Sequence, residues 1–203
     1  MNVFQTGRAL LLSGGFLALF SFISPDTPTR PGIRNTGAHH VAKRKLMADK
    51  KASTITYAMR HPMHTWEGVC RDVTGAIVFD DESKKVETVA IVAKVASFDS
   101  QNANRDSHAI EVLEGIKYPN VTFASQQVQD DGSGKLTVTG RLTFHGITRA
   151  VTVPVVRKES GGMTVYEGSF ITKLTDHEIE KPSLMMVPVE DELKIKFSLA
   201  FRM

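Results

Sequence analysis

The stretch KLTVTGRLTFHGITRAVTVPV, residues 135–155, decides the fold class of this chain. Apolar and polar residues alternate on both sides of His145-Gly146, which predicts two β-strands joined by a tight turn. Because successive side chains point to opposite faces of a strand, each of these strands has one apolar and one polar face. Such strands are typical of an antiparallel sheet or barrel that encloses an apolar interior.

The same alternation continues through most of the chain beyond residue 53, and it predicts an all-β fold. An antiparallel barrel of about eight strands accounts for the pattern, and a barrel of this size is either filled by its own side chains or holds one small ligand. The sequence alone leaves both outcomes open. The predicted strands are residues 53–61, 64–80, 86–99, 118–129, 134–145, 147–158, 163–174 and 190–202.

One segment breaks the alternation. Apolar residues recur at helical spacing between residues 109 and 116, which predicts one short α-helix. Asp106 or Ser107 is the expected N-cap of this helix, and Gly115 lies near its expected end. We interpret Arg105 and Asp106 as capping residues with a local ion pair, because acidic side chains are favoured at helix N-termini.

The apolar residues that share one face of the predicted strands are the candidate ligand contacts if the barrel is hollow. Burying apolar carbon contributes about 0.8 kcal/mol per methylene group, so contacts with the apolar part of a ligand, called here its chain, would dominate its affinity. Two basic residues near strand ends, Arg71 and Arg149, are the candidates for binding a polar head group at the mouth. The candidate chain contacts are Tyr57, Val73, Ile77, Phe79, Ile91, Phe123, Val138, Leu142, Phe144, Val151, Val153, Ile195 and Phe197.

Composition and charge are those of an ordinary globular protein. The chain of 203 residues is 41% hydrophobic and 23% charged, and its net charge is +3. The basic residues show no interleaved aromatic residues and no nucleic-acid-binding motif, so we expect no nucleic-acid partner. The chain has a single cysteine, Cys70, which excludes an intramolecular disulfide.

The N-terminal region predicts export. Arg8 and the uncharged run from Ala9 to Pro25 resemble the charged and apolar regions of a secretory signal, so residues 1–24 are a predicted signal peptide, with an uncleaved N-terminal anchor as the alternative. Residues 25–52 contain three prolines and then a basic run, and they predict a flexible basic linker. The folded domain is expected over residues 53–203, in the periplasm or outside the cell.

The histidines near residue 61 invite a metal interpretation. His61 and His64 are close in sequence, and His108 or His145 could join them. On an extended strand, however, residues three apart point to opposite faces, and no clustered carboxylates or cysteines accompany these histidines. We therefore expect no metal site and no cofactor.

The segment 174–189 invites a hydrolase interpretation. Asp176, His177 and Glu178 precede Ser183, but no nucleophile elbow of the Gly-x-Ser-x-Gly type is present. The chain also lacks a glycine-rich phosphate-binding loop before a helix. We expect a loop that closes one end of the barrel, and no enzymatic activity.

Three segments together resemble the YceI-like polyisoprenoid-binding family: Ala96–His108, Tyr118–Phe123 and Gly140–Thr148. The resemblance implies an extended lipocalin-like barrel whose hollow interior takes a long isoprenoid chain, in a protein that is commonly exported. The chain departs from the family at Leu174–Ile179, where an Arg-x-Asp-Phe-Gly-like segment is usual.

These observations predict an exported, non-enzymatic carrier of an isoprenoid-type lipid or quinone. Two alternatives remain open at this point. The chain could be an accessory module for a membrane redox partner, with its basic linker and apolar N-terminus attached peripherally to the membrane. It could also be a structural domain with a solid core, in which case the barrel would contain no cavity.

Overall fold

Residues 43–203 are described by a computed structural model, and they form thirteen strands and one α-helix. The helix is α1 (Ala103–Val112). The strands are β1 (Lys43–Met47), β2 (Thr54–His61), β3 (His64–Cys70), β4 (Val73–Asp80), β5 (Lys85–Lys94), β6 (Phe98–Asp99), β7 (Asn120–Asp130), β8 (Lys135–Phe144), β9 (Ile147–Ser160), β10 (Met163–Lys173), β11 (Ser183–Leu184), β12 (Val187–Pro188) and β13 (Glu192–Phe201).

Eleven of these strands form one curled antiparallel sheet, a half-barrel, in the order β1-β4-β5-β7-β8-β9-β10-β13-β2-β3-β6. Because neighbouring strands run in opposite directions, the connections alternate between the two ends of the sheet. One end, called here the helix end, carries the β2–β3 turn, the β5–β7 connection with α1, the β8–β9 turn and the β10–β13 connection. The opposite end carries the β4–β5, β7–β8 and β9–β10 turns.

The all-β fold with one helix is confirmed, but the count of eight strands is wrong. The predicted strand 64–80 is interrupted at Arg71-Asp72, and the predicted strand 86–99 is interrupted by a 3₁₀ turn at Val95–Ser97. The alternation of apolar and polar residues continues across both interruptions, so the sequence pattern does not reveal them. The Asp72 carboxylate at the first break lies 2.9 Å from Nζ of Lys94 and 3.8 Å from Nζ of Lys50.

The remaining additional strand of the eleven-stranded sheet, β1, lies inside the predicted linker 25–52, so that boundary is also wrong. β1 pairs with β4, and Ala48 beyond it is buried and bridges to Phe201. The basic residues of β1 face water and meet acidic partners: Lys43 lies 2.8 Å from Glu87 and Arg44 lies 2.6 Å from Asp81. A strand whose exposed face is charged resembles a linker in sequence. The predicted signal peptide or anchor, residues 1–24, lies outside the described residues.

Helix α1 begins earlier than predicted. Its N-cap is Asn102, whose Oδ1 accepts a hydrogen bond from the backbone N–H of Arg105 at 3.0 Å. Asp106 is therefore free to bind elsewhere, and it accepts a hydrogen bond from the Ser100 hydroxyl at 2.6 Å. In residues 43–203, no helix has the length and apolar character needed to cross a membrane.

Candidate functional site

The curled sheet encloses a cavity of about 600 Å³. Leu136 and Phe144, both on β8, line it near its two ends, and eight strand residues at about 3.4 Å each separate them by roughly 27 Å. The volume lies within the range of small-molecule sites, about 300–1,000 Å³. The interior is therefore hollow and elongated, which excludes the alternative of a solid core.

Most of the predicted chain contacts line this cavity. The lining side chains come from the inner faces of strands all around the sheet, and most of them are aliphatic or aromatic. The predicted residues that line the cavity are Tyr57, Ile77, Ile91, Phe123, Val138, Leu142, Phe144, Val153, Ile195 and Phe197.

Three predicted contacts, Val73, Phe79 and Val151, do not line the cavity. Val73 is fully buried in the packed core beside the break at Arg71-Asp72, and Phe79 is buried near the opposite end. Val151 lies opposite Gly140, and the ring of Phe123 covers that glycine. Side-chain parity identifies the inner face but does not distinguish the packed part of the interior from the hollow part.

Glycines on the strands make room for three of the aromatic side chains that line the cavity. A Cβ atom at Gly68 would lie 2.2 Å from the ring of Tyr57, and one at Gly140 or Gly168 would lie 2.5 Å from the ring of Phe123 or Phe197. Each ring thus lies against the backbone of a neighbouring strand instead of extending across the interior. These glycines help to keep the cavity open, a role that the alternation of apolar and polar residues does not indicate.

Tyr166 is a buried tyrosine in the wall of the cavity. It packs edge-on against Phe201, with ring centroids 5.8 Å apart. Its hydroxyl oxygen is buried and has no hydrogen-bond partner among the described residues. Burial is the largest effect on this group and raises the pKa of Tyr166 to about 12.

Helix α1 and the β10–β13 connection cover the cavity at the helix end. Ala109, Val112 and Leu113 of the helix region line the cavity, yet none of the residues of α1 is fully buried. After the helix, the Glu114 carboxylate lies 2.9 Å from Nε2 of His145 in the β8–β9 turn, and the two form an ion pair when the ring is protonated. A helix with so little buried surface belongs to the weakly stabilised part of a fold, where local opening costs least free energy.

The polar side chains that line the cavity gather at the helix end, around Arg105. The guanidinium of Arg105 lies 5.3 Å from the ring centroid of Trp66, and its Nε donates to the Ser100 hydroxyl oxygen at 3.0 Å. No carboxylate of residues 43–203 lies within 4 Å of this guanidinium. Its remaining N–H groups are thus available at the cavity entrance. The entrance lies at this end because the exposed residues of the lining, among them Asn104 and His108, are all found here.

Asp106 adds a negative charge to the same entrance. Its carboxylate accepts hydrogen bonds from the backbone N–H and the hydroxyl of Ser100, at 3.1 Å and 2.6 Å. The pKa of Tyr57 is raised, mainly by burial and next by the charge of Asp106. From the sequence, Arg105 and Asp106 are interpreted only as capping residues. Their presence in one of the three resembling segments, Ala96–His108, was the signal that could have identified them.

The two predicted head-group residues lie elsewhere. Arg71 is exposed at the break between β3 and β4, and it does not line the cavity. Arg149 pairs with the inward-facing Leu142. It is only the third residue of β9, however, so its side chain lies at the rim of the sheet and extends over it. Its Nε donates to the backbone carbonyl of Asp176 at 2.7 Å, so Arg149 fixes the β10–β13 connection from outside.

The two histidines considered as metal ligands have different environments. His61 is buried, whereas His64 is exposed and its ring lies 5.2 Å from that of Trp66. Nε2 of His61 donates to the carbonyl of Val187 and its Nδ1 accepts from the backbone N–H of Met63, so both nitrogens are already used. Within residues 43–203, no three His, Cys, Asp or Glu side chains are placed to hold a metal ion.

His177, the centre of the hydrolase interpretation, is a buried structural residue. A backbone carbonyl only accepts, so Nδ1–H must donate to the carbonyl of Ile147 at 3.2 Å, and Nε2 then accepts from the Thr172 hydroxyl at 3.0 Å. Burial is the main cause that lowers the pKa of His177, and it favours this neutral ring. Ser183 is exposed and makes no hydrogen bond with His177 among the described residues.

A curled antiparallel sheet around a long apolar cavity defines a binding fold for a hydrophobic ligand, and comparison with known proteins specifies the family. The family model of the YceI-like domain matches residues 47–201, and the chain belongs to this family. A UPF0312 protein of Enterobacter sp. is 31% identical over 58% of this chain, and protein YceI of Salmonella newport is 30% identical over the same share. The matched region spans 62% and 63% of these two relatives, slightly under two thirds of their length.

Solved structures show the same fold. The structure of Burkholderia cenocepacia BcnA superposes with a TM-score of 0.67 and 25% identity, covering 75% of this chain and 98% of BcnA. A polyisoprenoid-binding domain from Saccharophagus degradans, implicated in plant cell wall breakdown, has a TM-score of 0.61 and 12% identity, covering 77% of this chain and 97% of that domain. At this low identity the second likeness shows the fold alone.

Proposed function

We propose that this protein binds the hydrocarbon chain of an isoprenoid-type lipid in the cavity and carries it between membranes outside the cytoplasm. The observation that supports the proposal is the cavity itself: it is about 600 Å³ in volume, elongated, and lined mainly by aliphatic and aromatic side chains. A polyisoprenoid-binding domain with the same fold supports the choice of ligand class.

The chain of the ligand supplies most of the affinity in this proposal. Each five-carbon isoprene unit that leaves water contributes about 4 kcal/mol, taken from roughly 0.8 kcal/mol per methylene group. A hydrogen bond to a charged group contributes about 1.5–3 kcal/mol. Two or three buried units therefore exceed any one polar contact, and the cavity selects for an apolar chain before it selects for a head group.

The head group is proposed to lie at the helix end, beside Arg105. A chain that fills the apolar part of the cavity leaves its polar end near the only part of the described wall where polar side chains gather. Arg105 offers N–H donors there, which suit a phosphate or a quinone oxygen.

A chain-length series tests this proposal. Polyprenols of increasing length are titrated into detergent-free protein, and binding is followed through the fluorescence of Trp66, the one tryptophan of the chain, which lines the cavity. We expect affinity to rise with each added unit until the cavity is full and then to level off. If straight-chain alcohols bound equally well at every length, the protein would have no preference for isoprenoids. If neither series bound, the proposal would be refuted.

Export is a separate part of the proposal and rests on Arg8 and the uncharged run Ala9–Pro25. We expect the protein to fractionate outside the cytoplasm when it is expressed in a bacterial host. Intact mass then distinguishes cleavage of residues 1–24 from retention of an N-terminal anchor. Accumulation in the cytoplasm would contradict export without affecting the ligand.

A further inference from the structure

The most exposed large apolar side chains of the described residues all lie at the helix end. Ile116 is 97% exposed, Met186 96%, Met185 78% and Met63 68%. Ile116 follows α1, Met63 is in the β2–β3 turn, and the two other methionines are in the β10–β13 connection. These three connections surround the cavity entrance, whereas the most exposed apolar side chains of the sheet strands, Ile171 and Met47, reach only 55% and 54%.

The two methionines occupy a turn that is unusual for them. They join β11 to β12 as a two-residue hairpin loop, with φ of +51° at Met185 and +65° at Met186. Such a turn ordinarily contains Asn-Gly, because these residues adopt positive φ with little strain. Neither packing nor backbone preference accounts for two methionines at this position.

The hairpin is continuous with the cavity and firmly held. Ser183 and Leu184 line the cavity, while the tip beyond them does not. The backbone N–H of Val189 donates to the carbonyl of Pro182 at 2.9 Å, and His61 binds the carbonyl of Val187 at 3.1 Å. The tip therefore projects from a fixed base beside the entrance.

We propose that the helix end docks onto a lipid bilayer, with Met185 and Met186 inserted among the lipid chains so that a lipid moves between bilayer and cavity without crossing water. This inference rests on the proposed function. Met63 and Ile116 enter the interface beside the hairpin.

A bilayer fits these tips better than a protein partner does. A stable protein interface buries about 800 Å² on each side, in one complementary patch. Here the apolar side chains project from three separate connections, and a fluid interface accepts such separate tips without shape complementarity. The flexible, unbranched side chain of methionine suits a surface without fixed pockets.

Two basic side chains near the tips are paired with carboxylates, and the β10–β13 connection, residues 174–191, contains five acidic residues and one lysine, which indicates that insertion and not electrostatic attraction holds the protein on the membrane. Arg60 lies 3.3 Å from Glu190, beside the hairpin, and Lys117 lies 3.4 Å from Glu114, beside Ile116. We therefore expect docking onto neutral phosphatidylcholine, with little dependence on salt.

The test replaces the tip by the residues that the turn prefers, as the double variant Met185→Asn with Met186→Gly in the full chain. A fluorescent polyprenol is offered in phosphatidylcholine vesicles or as a dilute aqueous dispersion, and loading is followed by energy transfer from Trp66. We expect loading from vesicles to slow roughly tenfold, because apolar insertion is lost. The final loading, the loading rate from the dispersion and the folded state are expected to be unchanged, and Ile171→Thr, on the outer face of β10, is the matched control.

Three outcomes would overturn the docking inference. The first is loading from vesicles at the wild-type rate, and the second is reduced final loading from the dispersion, which would make the tip part of the cavity site. The third is a wild-type dimer in sedimentation that the variant abolishes, which would show that a second copy covers the tip. Wild-type protein that loads from neither source would instead refute the proposed function itself, and the inference with it.

Discussion

The Nε2 atom of His61 donates a hydrogen bond to the backbone carbonyl of Val187, 3.1 Å away, and so joins two connections that are 126 residues apart in the chain. The same ring accepts a hydrogen bond from the backbone N–H of Met63 at 3.2 Å. One buried side chain thus fixes both the β2–β3 turn and the hairpin beside the cavity entrance.

Replacing His61 by alanine is expected to destabilise the protein by about 1–3 kcal/mol, because two partly buried hydrogen bonds and the packing of a buried ring are lost. Urea unfolding measures this loss. The matched control is His64→Ala, which removes an exposed histidine from the same turn and is expected to change stability by less than about 0.5 kcal/mol. Equal effects of the two variants would contradict the structural role of His61.

Gly68→Ala is expected to weaken lipid binding, since the added Cβ would lie 2.2 Å from the Tyr57 ring and push it into the cavity. Isothermal titration with a polyprenol measures the affinity. The double variant Gly68→Ala with Tyr57→Leu removes the ring and is expected to recover binding relative to Gly68→Ala. Failure to recover would show that the loss arises from the strand backbone instead.

Arg105→Gln is expected to reduce the affinity for a prenyl phosphate by about tenfold, the equivalent of one charge-assisted hydrogen bond, and to leave a neutral polyprenol of the same length unaffected. The control is Arg149→Gln, because that guanidinium binds the carbonyl of Asp176 outside the cavity. If Arg149→Gln alone abolished the discrimination, the head group would lie at the β9 rim and the assignment to Arg105 would be wrong.

Stability is expected to fall as the pH drops below the ordinary histidine pKa of about 6.5. Burial lowers the pKa of His177 in the folded protein, so in this range the unfolded chain binds a proton that the folded chain does not. Urea unfolding at about pH 7.5 and about pH 5.5 measures the slope. His177→Gln is expected to reduce this slope, and a slope equal to that of the wild type would contradict the assignment.

Much of the fold was predictable because the alternation of apolar and polar residues follows directly from strand geometry. Val138, Leu142 and Phe144 on β8 face the cavity as the pattern predicts. Interruptions such as Arg71-Asp72 were not predictable, since two strands in succession keep the same alternation. β1 was missed because its charged residues are paired with Asp81 and Glu87, which are distant in sequence.

The candidate site was less predictable, because it depends on which distant segments meet. Arg149 has the parity of an inner-face residue, but parity does not show that its side chain leaves over the rim to Asp176. Arg105 was interpreted through its helix, although its environment at the cavity depends on Trp66 on β3 and Ser100. Sequence periodicity gives the face on which a residue lies, and tertiary contacts give the direction of its side chain.

The central claim is that the cavity holds a lipid chain, and native mass spectrometry of detergent-free protein from bacterial cells tests it most directly. Val138→Trp fills the cavity from β8, whereas Thr137→Trp places the same side chain on the exposed face of the same strand. The account predicts a bound isoprenoid lipid in the wild type and in Thr137→Trp, and none in Val138→Trp. Equal amounts of lipid in both variants, or a wild-type protein that remains empty when polyprenols are supplied, would contradict it.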